Sequence, residues 1–229
     1  KTVVSILTSR GCPYRCIYCQ FSSLNDHRVY FHSIDRVMAE IDWIRSRVLR
    51  FHPGRAHVFI MVYDEALTLS RRRIESLCTR LIDRRYDPPV KLWIDTRADH
   101  VDQPMIERLK QAGVEKINYG LESAVPHVLK NIGKVAPHKP RAADDTAAET
   151  HFLERVAQAV RWSKAQKLFT SVSVIVGLPG ETMADARKTL QFVQDLDVDL
   201  YYHNFLNVLE GTALHANAQQ WGYAWDLHP

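Results

Sequence analysis
Short apolar runs rich in β-branched residues alternate along the chain with longer stretches whose apolar positions recur every three or four residues. Val3-Val4-Ser5-Ile6-Leu7 is the first run and predicts a strand. A helix is predicted over Ile34–Val48, because Val37, Ile41, Ile44 and Val48 keep one face apolar. The pair then repeats. His57–Val62 predicts the second strand, and Ile74, Leu77 and Leu81 mark the inner face of a helix over Ser70–Arg84. Val90–Asp95 is followed by a helix over Gln103–Ala112, with Gly113 placed as its C-terminal cap. Lys116–Tyr119 precedes a short helix over Pro126–Ile132. A helix near Phe152–Ala165 leads into a fifth strand, Thr170–Val176, and a helix from Met183 to about Leu196. Leu200–Leu206 is the sixth strand, and a last helix begins near Thr212. This alternation predicts an α/β fold with parallel strands and right-handed crossovers. One segment breaks it: Gly133 to Glu149, rich in Ala, Pro, Asp and Lys and containing His138, reads as a loop or lid.

A chain of 229 residues is long enough for one substantial buried core. It has no uninterrupted apolar run of about 18 residues, so no membrane span is expected. The net charge of +4 is too mild to argue for nucleic acid, and Arg71-Arg72-Arg73 and Arg84-Arg85 read as solvated helix faces. The chain opens on Lys1 and enters a strand at once, which reads as a piece of a longer protein. Three of its four cysteines crowd into one loop. That distribution suits metal chemistry rather than a disulfide framework and points to a reducing cytoplasm.

The loop is Gly11-Cys12-Pro13-Tyr14-Arg15-Cys16-Ile17-Tyr18-Cys19, directly after the first strand. Three soft ligands at this spacing suit an iron–sulfur cluster or zinc. A structural zinc wants four protein ligands, and Cys78 lies far off in a predicted helix. A 4Fe–4S cluster held by three cysteines would leave one iron open to a small molecule. In its CxxxCxxC spacing, with aromatic Tyr18 just before the third cysteine, the loop resembles the signature of the radical S-adenosylmethionine (SAM) superfamily. The resemblance implies a partial (βα)6 barrel. It also implies a 4Fe–4S cluster on Cys12, Cys16 and Cys19, and SAM on the open iron, cleaved reductively to a 5′-deoxyadenosyl radical.

The resemblance extends to the segments after the strands, where parallel barrels carry their chemistry. Tyr63-Asp64-Glu65-Ala66-Leu67-Thr68 sits where relatives contact the methionine amino group, which implies that role for Asp64 and Glu65. Arg97, after the third strand, would meet a carboxylate of the ligand or of a neighbouring loop. Gly120-Leu121-Glu122-Ser123 offers Glu122 and Ser123 to the ribose or the methionine group. Lys130 and Lys134 follow; Lys134 has counterparts beside the methionine carboxylate, although the chain alone reads it as a solvated lysine. Ser173 to Thr182 resembles the stretch on which adenine lies, with Ile175 and Gly177 at the contact, Glu181 structural and Thr182 able to cap a helix. Glu210-Gly211-Thr212 stands where many relatives have Pro-Gly-Thr. On the sixth strand, Tyr202 and His203 read as core residues, and Trp221, Tyr223 and Trp225 as core or interface aromatics.

Within the family the motifs are most similar to the cobalamin-dependent methyltransferase branch. Cobalamin would be bound mainly by a domain outside this chain, since no Asp-x-His-x-x-Gly motif is present. The expected partners are a small-molecule or peptide-derived substrate and an electron donor such as flavodoxin or ferredoxin. No side chain is needed as a general base, because the radical would abstract hydrogen itself. A cobalamin-free radical oxidoreductase or isomerase, and a non-enzymatic zinc module, are the alternatives.

Overall fold
Burial along the strands follows the pleat. In Val58–Val62 the residues Val58, Ile60 and Val62 are buried while Phe59 and Met61 are only partly so, and Val90–Thr96 repeats the alternation. The fully buried set faces the helices; the half-buried set faces the concave side of the sheet. The computed structural model describes residues 4–135, 142 and 144–223. In chain order the elements are β1 (Val4–Ile6), β2 (Ser9–Arg10), α1 (Gln20–Leu24), β3 (Tyr30–Phe31), α2 (Ile34–Phe51), β4 (Val58–Val62), α3 (Arg71–Arg84), β5 (Val90–Thr96), α4 (Gln103–Gln111), β6 (Val114–Glu122), α5 (Pro126–Asn131), α6 (Ala147–Ala165), β7 (Phe169–Val176), α7 (Met183–Asp195), β8 (Leu200–Phe205) and α8 (Ala213–Ala216).

Six strands form one parallel sheet in the order β1-β4-β5-β6-β7-β8. Each of the first five is joined to the next by a crossover, so the predicted α/β fold, a partial (βα)6 barrel, is what the chain adopts. The core lies between the sheet and the helices. It gathers Ile41 and Ile44 of α2, Ile74 and Leu77 of α3, Ile106 and Leu109 of α4, and Val156 and Val160 of α6.

Several elements differ from the expectation. Strand β6 begins at Val114 and runs on to Glu122, beyond the short run the sequence suggests. Its register slips between Gly120 and Glu122, which oppose the consecutive Ser173 and Val174 of β7. The slip is a β-bulge. Helix α6 starts at Ala147, with Glu149 fully buried, so the irregular segment is shorter than 133–149. Residues 136–141 and 143 of that segment, His138 among them, lie outside the described residues. Lys130 does not simply face solvent: its Nζ donates to the carbonyls of Ala142 and Asp145, both at 2.6 Å. The expectation of a buried Tyr202 and His203 is corrected. β8 is the edge of an open sheet, so His203 is exposed and Tyr202 half-buried. Among the described residues no helix is long and apolar enough to cross a membrane.

Candidate metal and cofactor site
The cysteine loop leaves the sheet at the end of β1 and returns through the two-stranded antiparallel ribbon of β2 and β3. Gly11 opens it at φ +94°, where a Cβ would lie 2.0 Å from the carbonyl oxygen of Arg28. Only glycine tolerates both the left-handed backbone and that approach. The loop is then fixed from both sides: the Ile17 N–H donates to the Ile132 carbonyl at the end of α5 (3.0 Å), and the Leu214 N–H of α8 donates to the Ile17 carbonyl (2.8 Å). Gln20 adds a side-chain bond to the Glu210 carbonyl at 2.9 Å.

Held this way, Cys12, Cys16 and Cys19 border one cavity of about 300 Å³ at the carboxyl ends of the strands. Tyr18 and Phe21 continue its wall from the loop. Strand ends supply Tyr63, Asp64 and Glu65 after β4, Asp95 to Arg97 at β5, Asn118, Gly120 and Glu122 from β6, and Ser173 from β7. Burial pushes the Cys12 and Cys16 thiols above their ordinary value, while the Arg97 and Lys134 cations pull the other way. The donor set suits an iron–sulfur cluster: three thiols on the wall of one cavity, with cations to balance the charge of thiolates. Cys78 does not serve as a fourth ligand, because it is buried in the core beside Ile74 and Leu77. Among the described residues no group of three or more His, Cys, Asp or Glu is gathered to hold a single metal ion.

The expected contact residues divide. Glu65 faces the cavity with Oε2 buried and without a hydrogen-bond partner. Glu122 projects from the bulge at φ +67° and accepts from Lys134 Nζ at 2.9 Å. Lys134 is therefore no solvated lysine; it is buried, and it lines the cavity. Arg97 stacks 3.6 Å over the Tyr14 ring, clamps Asp99 through two bonds (2.9 and 2.7 Å), and donates to the Lys134 carbonyl (3.0 Å). Burial works against the charge of Asp99, but the Arg97 fork outweighs it and keeps the carboxyl below its usual range. The Tyr14 hydroxyl in turn meets His100 Nε2.

Three expected contacts are not at this cavity. Ser123 is fully buried; its Oγ meets Thr189 Oγ1 (3.3 Å) and accepts from the Val125 N–H (3.2 Å). Past the bulge its side chain is on the helix side of β6, so the ribose contact expected of it does not fit. Gly177 lines a second, larger cavity of about 870 Å³ with Phe205, Leu206 and Tyr223, and Ile175 packs against the core. The Gly177 N–H is engaged by Glu181 Oε2 at 2.6 Å, which gives Glu181 the structural role expected of it, and the Gly177 carbonyl accepts from Tyr223 at 2.8 Å. Trp225 lies outside the described residues. The smaller cavity carries all three loop cysteines and most of the charged groups, whereas Glu210 is the charged residue on the wall of the larger one.

Asp64 also departs from expectation, since both its oxygens are already engaged. Oδ1 accepts from the N–H groups of Thr8 (2.6 Å) and Ser9 (3.1 Å), and Oδ2 from their hydroxyls (both 2.6 Å). Arg73, expected in solvent, reaches from α3 to the Thr8 carbonyl (2.8 Å) and the His32 carbonyl (3.2 Å). A polar bridge on the cavity floor went unnoticed in the sequence: Asn118 Nδ2 donates to Asp95 Oδ1 (2.8 Å) and meets Ser173 Oγ (3.0 Å). Strand alternation could have found it, because Asp95 and Asn118 share the parity of the half-buried Trp93 and Lys116.

The family model described as the Radical SAM superfamily matches residues 6–193. An uncharacterized methyltransferase, PH0819, of Pyrococcus horikoshii is 26% identical over 220 residues, covering 96% of this chain and 41% of its own length. The tryptophan 2-C-methyltransferase of Streptomyces laurentii is 25% identical over 199 residues, 84% of this chain and 30% of that protein. Among solved structures, the radical S-adenosylmethionine methyltransferase TsrM of Kitasatospora setae, with cobalamin and a [4Fe-4S] cluster bound, superposes with a TM-score of 0.80 at 21% identity. The match covers 95% of this chain and 37% of TsrM. The chain thus spans well under half the length of each of these relatives.

Proposed function
This chain belongs to the radical SAM superfamily, whose members use a 4Fe–4S cluster and SAM, and we propose that it forms the core of an enzyme that transfers a methyl group to a small organic substrate. The observation that carries the reading is the meeting of Cys12, Cys16 and Cys19 with Glu65, Glu122, Arg97 and Lys134 around one cavity at the strand ends. A bound cluster supplies the electron that cleaves the sulfonium of SAM and starts radical chemistry.

The chain's own residues orient the ligand. Glu65 Oε2 is a buried acceptor without a partner, which suits an ammonium group. Lys134 and Arg97 put two buried cations on the wall to which a ligand carboxylate would turn. The Tyr18 phenol is a hydrogen-bond donor at neutral pH, as any tyrosine is, and burial with the adjoining Glu122 carboxylate holds it well above its ordinary value. The bulge aims Glu122 at the cavity, where it can accept from ligand hydroxyls. Cobalamin is the favoured methyl carrier, on the strength of the name and fold of TsrM, and it would be held by parts of the protein outside this chain. A flavodoxin or ferredoxin in a reducing cytoplasm would supply the electron. Family membership sets the zinc module aside.

The test is anaerobic reconstitution of the full-length protein, followed by EPR of the reduced form with and without SAM. A 4Fe–4S signal that changes on adding SAM is the expected result; zinc uptake, or a cluster indifferent to SAM, would sink the reading. Cobalamin content of the same preparation decides between methyl transfer and a cobalamin-free oxidoreductase or isomerase.

A further inference from the structure
We infer that Asp64, with Arg73, is a positioning residue that sets the base of the cysteine loop, and is not a contact for the ammonium group of the bound ligand. This rests on the reading that the loop carries a cluster.

The sheet lets go of the chain just before the loop. The last β1 ladder partner is Ile6, opposite Val62, and the Tyr63 N–H still donates to the Ile6 carbonyl at 2.8 Å. Thr8 and Ser9 follow with 0% and 2% exposure, beyond the reach of that ladder and away from water. Their N–H groups and hydroxyls are buried donors that need acceptors. Asp64, itself 3% exposed, stands at the end of neighbouring β4 and takes all four. An ionised carboxylate offers about four acceptor positions, so none is left for a ligand ammonium. The adjoining Glu65, with its unpartnered Oε2, is the acid still free to accept.

Arg73 completes the clamp from the other side. Its Nη1 donates to Thr8 Oγ1 (3.2 Å), so that hydroxyl accepts from Arg73 while donating to Asp64. Its Nη2 bridges the carbonyls of Thr8 and His32, which are also joined by the His32 N–H to Thr8 carbonyl bond at 3.0 Å. Thr8 precedes the cysteines and His32 follows the ribbon. The clamp therefore fixes both feet of the excursion on which Cys12, Cys16 and Cys19 are carried.

The experiment uses the full-length protein, reconstituted anaerobically with iron and sulfide. The variants are Asp64→Ala, Asp64→Asn and the double variant Thr8→Val/Ser9→Ala, which keeps the carboxylate but removes both hydroxyls. Three readouts are taken: iron and sulfide per chain, circular dichroism of the unloaded protein, and the SAM-induced EPR change per cluster formed. Asp64→Ala and the double variant are expected to load less cluster than the unaltered protein, while each cluster that forms responds to SAM normally. Asp64→Asn should fall between, because its amide oxygen can still accept both N–H groups while its NH₂ must turn the hydroxyls around. If Asp64→Ala loads fully but its cluster ignores SAM, the residue is a ligand contact and the inference is overturned. If Asp64→Ala fails to fold, the double variant decides, and full loading there overturns the inference as well. An unaltered protein that takes up no cluster would defeat the functional reading instead, which separates the two failures.

Discussion
Glu122 shows how a single residue can carry conflicting demands. A φ of +67° is costly for a side chain with a Cβ, yet the bulge holds it there with its carboxylate against Lys134. Both partners are buried, so removing one charge strands the other. Glu122→Gln should destabilise the unloaded chain by about 3 kcal/mol, a loss typical of breaking a buried ion pair. Adding Lys134→Met should recover part of that loss, since the uncompensated cation is gone. Denaturant unfolding of the single and double variants checks the pattern; additive losses would mean that the two groups do not depend on each other. Gly120 reports on the same pair. A Cβ there would lie 2.7 Å from Glu122 Oε1 and 3.0 Å from Lys134 Nζ. Gly120→Ala should force the pair apart and weaken SAM binding, as read by titration of the loaded protein, and unchanged affinity would show that the pair can yield without cost.

At the scale of elements, the helix after β7 starts on a device legible in the sequence. The Thr182 side chain accepts from the Asp185 N–H (3.2 Å), and Asp185 Oδ2 accepts from the Thr182 N–H (3.1 Å), a reciprocal capping box. Thr182→Ala should cost about 1 kcal/mol of stability. The hydrogen bond from the Thr182 hydroxyl holds the Asp185 carboxyl below its ordinary value. Its folded pKa is thus the lower one, so the cap's contribution is complete above the ordinary aspartate pKa of about 3.9 and is lost as pH falls through the depressed value. Thermal midpoints of Asp185→Asn and the unaltered chain should therefore converge toward acid pH, whereas a constant gap would deny the ionised cap. Strand and helix positions were readable for the same local reason: period and caps are properties of neighbours in the chain. The β2–β3 ribbon was not. Each of its strands is two residues long, too short for any alternation, and it forms because Gly11, Thr8 and His32 close the excursion at a distance.

For the whole molecule the question is what the assembled strand ends do together. The sequence placed the cysteines, Glu65, Glu122 and Arg97 after successive strands, and the barrel brings them to one cavity. It could not place Ser123, whose direction depends on a register slip against β7, nor show that Asp64 is already engaged by a loop 55 and 56 residues away. Because the cavity draws on β4, β5, β6, β7 and the cysteine loop, a ligand that fills it stabilises them as a unit. At a SAM concentration 100 times its dissociation constant, the loaded protein should gain about 2.7 kcal/mol by mass action. Glu65 supplies the one cavity-facing carboxylate oxygen among the described residues that is buried without a partner. A charge-assisted hydrogen bond of about 1.5 kcal/mol corresponds to roughly tenfold in affinity. Glu65→Gln, tested at the same SAM concentration, should then gain only about 1.4 kcal/mol. Its cluster content should be unchanged, because the hydrogen bonds that hold Thr8 and Ser9 at the base of the cysteine loop go to Asp64 and not to Glu65. Anaerobic unfolding with and without SAM reads both values. An undiminished gain would show that the ligand's ammonium lies elsewhere, and a variant that loses its cluster would move Glu65 from holding the ligand to building the loop.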